Sequence, residues 1–182
     1  MEWLWSGLSG RRWLFPRLRL SILCWFGSAI MSEDRKNLES KDLESKDLAA
    51  RAITDALHRY CAAVDSYDAD TFAALWTDDA YVDFGERYRG KPPGFQALLI
   101  KDRNRTLSMA HQMEEIVIDL SPELSAATSR CTVSAAVTRI SGDGGKRRLV
   151  RGRYEDRWVL TRGQWLIQHR VYRPIEETQL PE

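Results

Sequence analysis

Four proton-carrying side chains fall where apolar ones are expected. Asp65 lies in "RYCAAVDSYDAD" (59–70), on the helix side that also carries Ile53, Leu57, Tyr60, Cys61 and Val64. Asp156 lies between Tyr154 and Trp158 in an alternating run, and His169 alternates with Trp165, Ile167 and Val171. His111 opens another apolar run. Buried carboxylates are costly unless hydrogen-bonded or paired. Imidazole changes charge near neutrality. Two acids and two imidazoles facing an apolar hollow are therefore the raw material of acid–base chemistry. Metal chemistry is not suggested. His58, His111 and His169 form no His-x-His or His-Glu-x-x-His cluster, and Cys24, Cys61 and Cys131 have no Cys-x-x-Cys spacing.

Each residue also has a plainer reading. Asp65 can bond backbone amides around Ser66–Asp68. His111 can be a satisfied strand-end histidine. Ile116, Ile118 and Leu120 lie on the opposite parity, so His111 points inward only if a bulge intervenes. Tyr60 can be core with its hydroxyl at a rim. Asp156 can bond polar atoms of Tyr or Trp, and His169 can be a buried structural histidine.

The elements that must position these groups follow from hydrophobic spacing. Leu48–Ser66 reads as a helix. Asp70 is the expected cap of a second helix, "TFAALW", with Phe72, Leu75 and Trp76 inward. "YVDF" is a short strand, and Pro92–Pro93 start a third helix through "GFQALLIKDRNRTL". Long strands are expected at 111–120, 126–140, 146–161 and 164–173, with hairpin turns at "SGDGG" (141–145) and "TRG" (161–163). In the third of these strands Val150, Gly152, Tyr154, Asp156, Trp158 and Leu160 share a covered face. Arg147, Arg151, Arg153 and Arg157 share a wet one. Helices followed by a meander predict an α+β domain: a cone-shaped, curved antiparallel sheet wrapped around N-terminal helices. Such a cone leaves an apolar cavity, the usual place for a small molecule.

The 182 residues carry a net charge of +1, which gives no reason to expect nucleic acid as a partner. Residues 1–30 are rich in Trp, Leu and Arg. Their apolar run is shorter than the roughly 20 residues a membrane span needs. They read either as a signal-like leader, giving an exported protein, or as an extension ahead of a true start at Met31, giving a cytoplasmic one. Residues 31–47, with the tandem "LESKD", read as a charged, solvated, partly helical lead-in. Residues 48–175 form the domain and 176–182 a tail.

Three stretches carry a resemblance: "ITDALHRYCAAVDSYDADTFAALWTDDAYVDF", "AHQM" and "GRYEDRWVLTRGQWLIQHR". The chain resembles the SnoaL-like members of the nuclear transport factor 2-like superfamily, among them scytalone dehydratase, bile acid 7α-dehydratase and hexachlorocyclohexane dehydrochlorinase. The resemblance implies an Asp–His dyad from Asp65 and His111, with Tyr60 at the place of a catalytic tyrosine and Arg170 matching a late arginine. "CTVSAAVTR" has no second histidine, and no lysine stands at position 60. The implied chemistry is proton abstraction next to a carbonyl, then loss of water or isomerisation, with no cofactor. Phe72, Trp76, Tyr81, Phe84, Tyr154 and Trp158 suggest a flat apolar ligand such as a steroid or polyketide, with Asp156, His169 and Arg170 as further substrate contacts. The resemblance also implies a homodimer. The rival expectations are a non-catalytic binding or scaffold module, and the accessory small subunit of a ring-hydroxylating oxygenase.

Overall fold

The computed structural model describes residues 21–141 and 144–180, with side chains for 33–140 and 145–180. The chain divides into two units, Met1–Asp42 and Leu43–Glu182. Helix α1 runs unbroken from Ser21 to Ser66, so the charged lead-in is fully helical where partial helix was expected. Leu38, Leu43 and Leu48 are all exposed. A five-residue repeat rotates about 140° per step around a helix and builds no apolar stripe. From Ala49 the spacing changes. Ile53, Leu57, Tyr60, Cys61 and Val64 become core, as their spacing predicts. Each large apolar side chain so buried contributes about 1.5–3 kcal/mol.

A left-handed turn stops α1. Tyr67 has φ 58°, and the amides of Asp68 and Tyr67 donate back to the carbonyls of Ala63 and Val64. This is the Schellman pattern, here without its customary glycine. Helix α2 (Ala69–Ala73) follows. Its cap is Asp68, two residues before the expected Asp70. The Asp68 carboxylate accepts from the amides of Asp70 and Thr71 and from the Thr71 hydroxyl. Those bonds, the Thr71 hydroxyl foremost, hold it below the ordinary aspartate range. Helix α3 (Pro92–Arg103) opens on its two prolines.

The strands are β1 (Trp76–Asp83), β2 (Arg89–Gly90), β3 (Thr106–Leu120), β4 (Ala126–Ser141), β5 (Gly144–Thr161) and β6 (Gln164–Gln179). They form one sheet in the order β2-β1-β6-β5-β4-β3. The meander β3–β6 is antiparallel as expected, but β1 joins β6 in parallel, so the sheet is mixed. β3 begins five residues before the predicted start. β6 runs on through the expected tail, because Glu176–Gln179 find partners on β5. Arg162 and Gly163 both have positive φ and close the β5–β6 hairpin at "TRG". The "SGDGG" turn falls partly outside the described residues. Among the described residues, no helix is long and apolar enough to cross a membrane.

Two bulges decide which side chains face the helices. Between Glu114 and Val117 the β3–β4 register slips by one, with Glu115 at φ 53°. Met109, His111 and Met113 therefore share a face with Ile116, Ile118 and Leu120. A second slip sets Arg157 opposite His169 but Trp158 opposite Ile167. The extra residue, Gln168, turns the strand over. Arg170 joins Trp165 and Ile167 in the core, and His169 leaves it.

Candidate functional site

Asp65 is the last residue but one of α1. A carboxylate there faces the negative end of the helix dipole, which disfavours it. His111 compensates twice. Asp65 Oδ1 lies 2.5 Å from His111 Nδ1, and Asp65 Oδ2 accepts the His111 backbone N–H at 2.8 Å. A carboxylate on Nδ1 makes that nitrogen the proton-bearing one and leaves Nε2 with its lone pair. The pair is partly buried, with 24% of the Asp65 side chain and 12% of the His111 side chain exposed. The contact depends on the β3 bulge, since without the extra residue His111 would share the face opposite to Ile116 and Ile118.

His111 lines a cavity of about 350 Å³ between the sheet and the helices. Phe84, Phe95 and Tyr172 form one aromatic wall, with Phe84 and Phe95 stacked at 4.0 Å. Val133, Ala135 and Val137 of β4 form another. Tyr60 and Tyr154 close the bottom, edge to face at 5.8 Å. Burial pushes both phenols above the ordinary tyrosine range, so both remain hydrogen-bond donors at neutral pH. Tyr172 has its place because position 152 is glycine. A methyl group on Gly152 would overlap the Tyr172 ring.

The other expected contacts do not line this cavity. Phe72, Trp76 and Trp158 are core. Tyr81 stacks on His169 at 5.8 Å, away from the cavity lining, because the β6 bulge carries His169 off the inner face. Burial, and secondarily the charge of Arg157, lowers the His169 pKa. Asp156 and Arg170 are both fully buried and meet each other. Arg170 Nε and Nη2 donate to the two Asp156 oxygens at 2.7 and 2.8 Å. The Ser129 hydroxyl also donates to Asp156, and it accepts from the Trp158 indole. The Arg170 guanidinium lies 4.1 Å from both the Tyr60 and Tyr154 ring centres. Burial opposes its charge, and Asp156 more than offsets that. Neither residue lines the cavity.

Four charged residues at the cavity wall were missed: Arg87, Arg139, Arg148 and Glu177. The signal for two of them was in the sequence. Arg139 shares parity with Val133, Ala135 and Val137, and Arg148 shares parity with Val150 and Tyr154. Among the described residues, no group of three or more His, Cys, Asp or Glu is placed to hold a metal ion.

Comparison with known proteins fits this architecture. The SnoaL-like domain model matches residues 47–171. A candidate scytalone dehydratase from Novosphingobium aromaticivorans superposes with a TM-score of 0.68 at 21% identity, covering 77% of this chain and 93% of that one. The hexachlorocyclohexane dehydrochlorinase LinA gives 0.69 at 17% identity, covering 76% and 94%. The type-3 form of that enzyme from Novosphingobium barchaimii gives 0.66 at 17%, covering 75% and 92%. At these identities the likeness is one of fold. No match was found among curated proteins.

Proposed function

We propose, for a chain that belongs to the SnoaL-like domain family of the nuclear transport factor 2-like superfamily, a cofactor-independent lyase or isomerase activity. The substrate is an apolar, ring-containing carbonyl compound that loses a proton from the carbon next to the carbonyl. One observation carries the reading: a carboxylate in contact with the imidazole of a cavity-lining histidine. Solved structures of the same fold include a candidate dehydratase and a dehydrochlorinase, both named for elimination reactions.

His111 Nε2 takes the proton, and the C–H electron pair becomes an enolate. Asp65 holds the ring in the productive tautomer and stabilises the imidazolium. An imidazole oriented by a carboxylate suits general-base work. Tyr60 donates a hydrogen bond to the enolate oxygen. Arg170 beneath the Tyr60 ring adds positive potential on the same side. In an elimination the enolate expels a β-hydroxyl, which leaves as water with the proton from His111. In an isomerisation the same proton returns to a different carbon.

The test is a screen of cyclic β-hydroxy ketones, read by enone absorbance and by deuterium exchange at the α-carbon. His111→Ala is expected to abolish both signals and leave the circular dichroism spectrum unchanged. Undiminished activity in that variant would remove His111 from the mechanism. Ligand binding by both proteins with no exchange in either would assign the cone to binding alone. The same reading carries a homodimer, to be checked by light scattering.

A further inference from the structure

The far end of the cavity is charged. Arg87, Arg139 and Arg148 line it together with Glu177. Asp102 of α3 stands behind, and its Oδ2 accepts from both Arg87 (3.3 Å) and Arg139 (3.2 Å). Arg148 Nη1 donates to Glu177 at 2.6 Å. Three guanidinium groups thus share two carboxylates, which leaves one positive charge over. The hydrogen bonds are unbalanced in the same sense. The Nε groups of Arg139 and Arg148 are both buried, and neither has a hydrogen-bond partner. Leaving such donors unpaired is costly unless something arrives to satisfy them. Arg148 engages Glu177 through Nη1, so its Nε side remains for a second carboxylate. That is the side by which Arg170 grips Asp156.

We infer that this end of the cavity is a subsite for a single carboxylate on the substrate, held chiefly by Arg139 and Arg148. The inference rests on the reading that the cavity takes a small-molecule substrate, and it names that molecule's class: an elongated apolar ring system with a carboxylate at one end. The one-charge excess favours a monoanion over a phosphate dianion. The spacing follows from the sheet. His111 pairs with Ala135, four residues before Arg139 on β4. At about 3.3 Å per residue the strand positions are roughly 13 Å apart. The carboxylate would therefore sit remote from the reacting carbon, orienting the ring without joining the chemistry. The arginines of the outer face, Arg147, Arg151, Arg153 and Arg157, lack this arrangement, since none of them lines the cavity.

The experiment measures binding of 2-naphthoate and of its neutral isostere 2-naphthamide to the full chain by calorimetry at low salt. Naphthoate is expected to bind about tenfold more tightly, the worth of one charge-assisted hydrogen bond. Arg148→Gln is expected to erase the preference. Arg139→Gln is the second variant, should the first fail to fold by circular dichroism. His111→Ala is expected to keep the preference while losing turnover, which separates failure of the chemistry from failure of the subsite. Equal binding of the two compounds by the native protein, no binding of either, or a preference that survives both arginine variants would overturn the inference.

Discussion

Two of the fold's aspartate contacts, Asp156–Arg170 and Asp65–His111, differ in what their partners can do. Asp156–Arg170 has no exposed side-chain surface at all, while Asp65–His111 keeps 24% and 12%. Arg170 is permanently charged, bidentate and flanked by tyrosine rings, so nothing in that pair can change state. His111 is an imidazole, and its second nitrogen remains after Asp65 has taken the first. Burial alone therefore does not separate the two acids. The pair we propose to react is the one whose imidazole stands at a cavity wall. The sealed pair is the foundation beneath it.

The sharpest way to break this comparison is Asp65→Asn. The amide would favour the wrong tautomer of His111, and activity should fall about 10²–10⁴-fold in steady-state kinetics. Stability should fall by about 1 kcal/mol in a denaturant titration, the scale of one partly exposed hydrogen bond. A variant that kept its rate would dissolve the distinction between the two pairs. Asp156→Asn should do the reverse. It strands a buried guanidinium and should cost about 3–5 kcal/mol of unfolding free energy. Where the variant remains folded, its proton exchange should be near normal.

A smaller effect sharpens the role of the cavity bottom. Tyr60→Phe keeps the ring over Arg170 and removes one donor, so turnover should drop about tenfold with little change in Tm. The smallest expected signal is chemical silence. Burial pushes Cys61 up to about 12 and Cys131 up to about 11. At pH 8 about one thiol in a thousand or fewer would be thiolate. Iodoacetamide should therefore label neither cysteine in the native protein and both after unfolding, as read by mass spectrometry. Rapid native labelling would mean that the region around Arg170 opens.

Local spacing carried much of this molecule. The core face of α1 was legible because residues at helical intervals share a side, and the β4–β5–β6 meander because alternation sorts side chains by face. The family resemblance added Asp65, His111 and Tyr60 as a set; His111 and Tyr60 line one cavity, and Asp65 contacts His111 from behind it. The two histidines show where spacing stops. Parity alone put His169 inward and left His111 dependent on a bulge. One extra residue in each strand reversed the first and supplied the second. A bulge is settled by how two strands pair, and neither strand's own pattern announces it.

By itself the sequence determined which segments become helix and strand, and which faces are apolar, since these depend on neighbours a few positions apart. Only the tertiary structure decided that Arg170 is locked to Asp156, that His111 meets Asp65, and that Arg139, Arg148 and Glu177 gather at one end of the cavity. The two aspartate contacts among them join residues 14 and 46 positions apart. Chain folding over such distances is fixed by the register of the whole sheet, which no local pattern encodes.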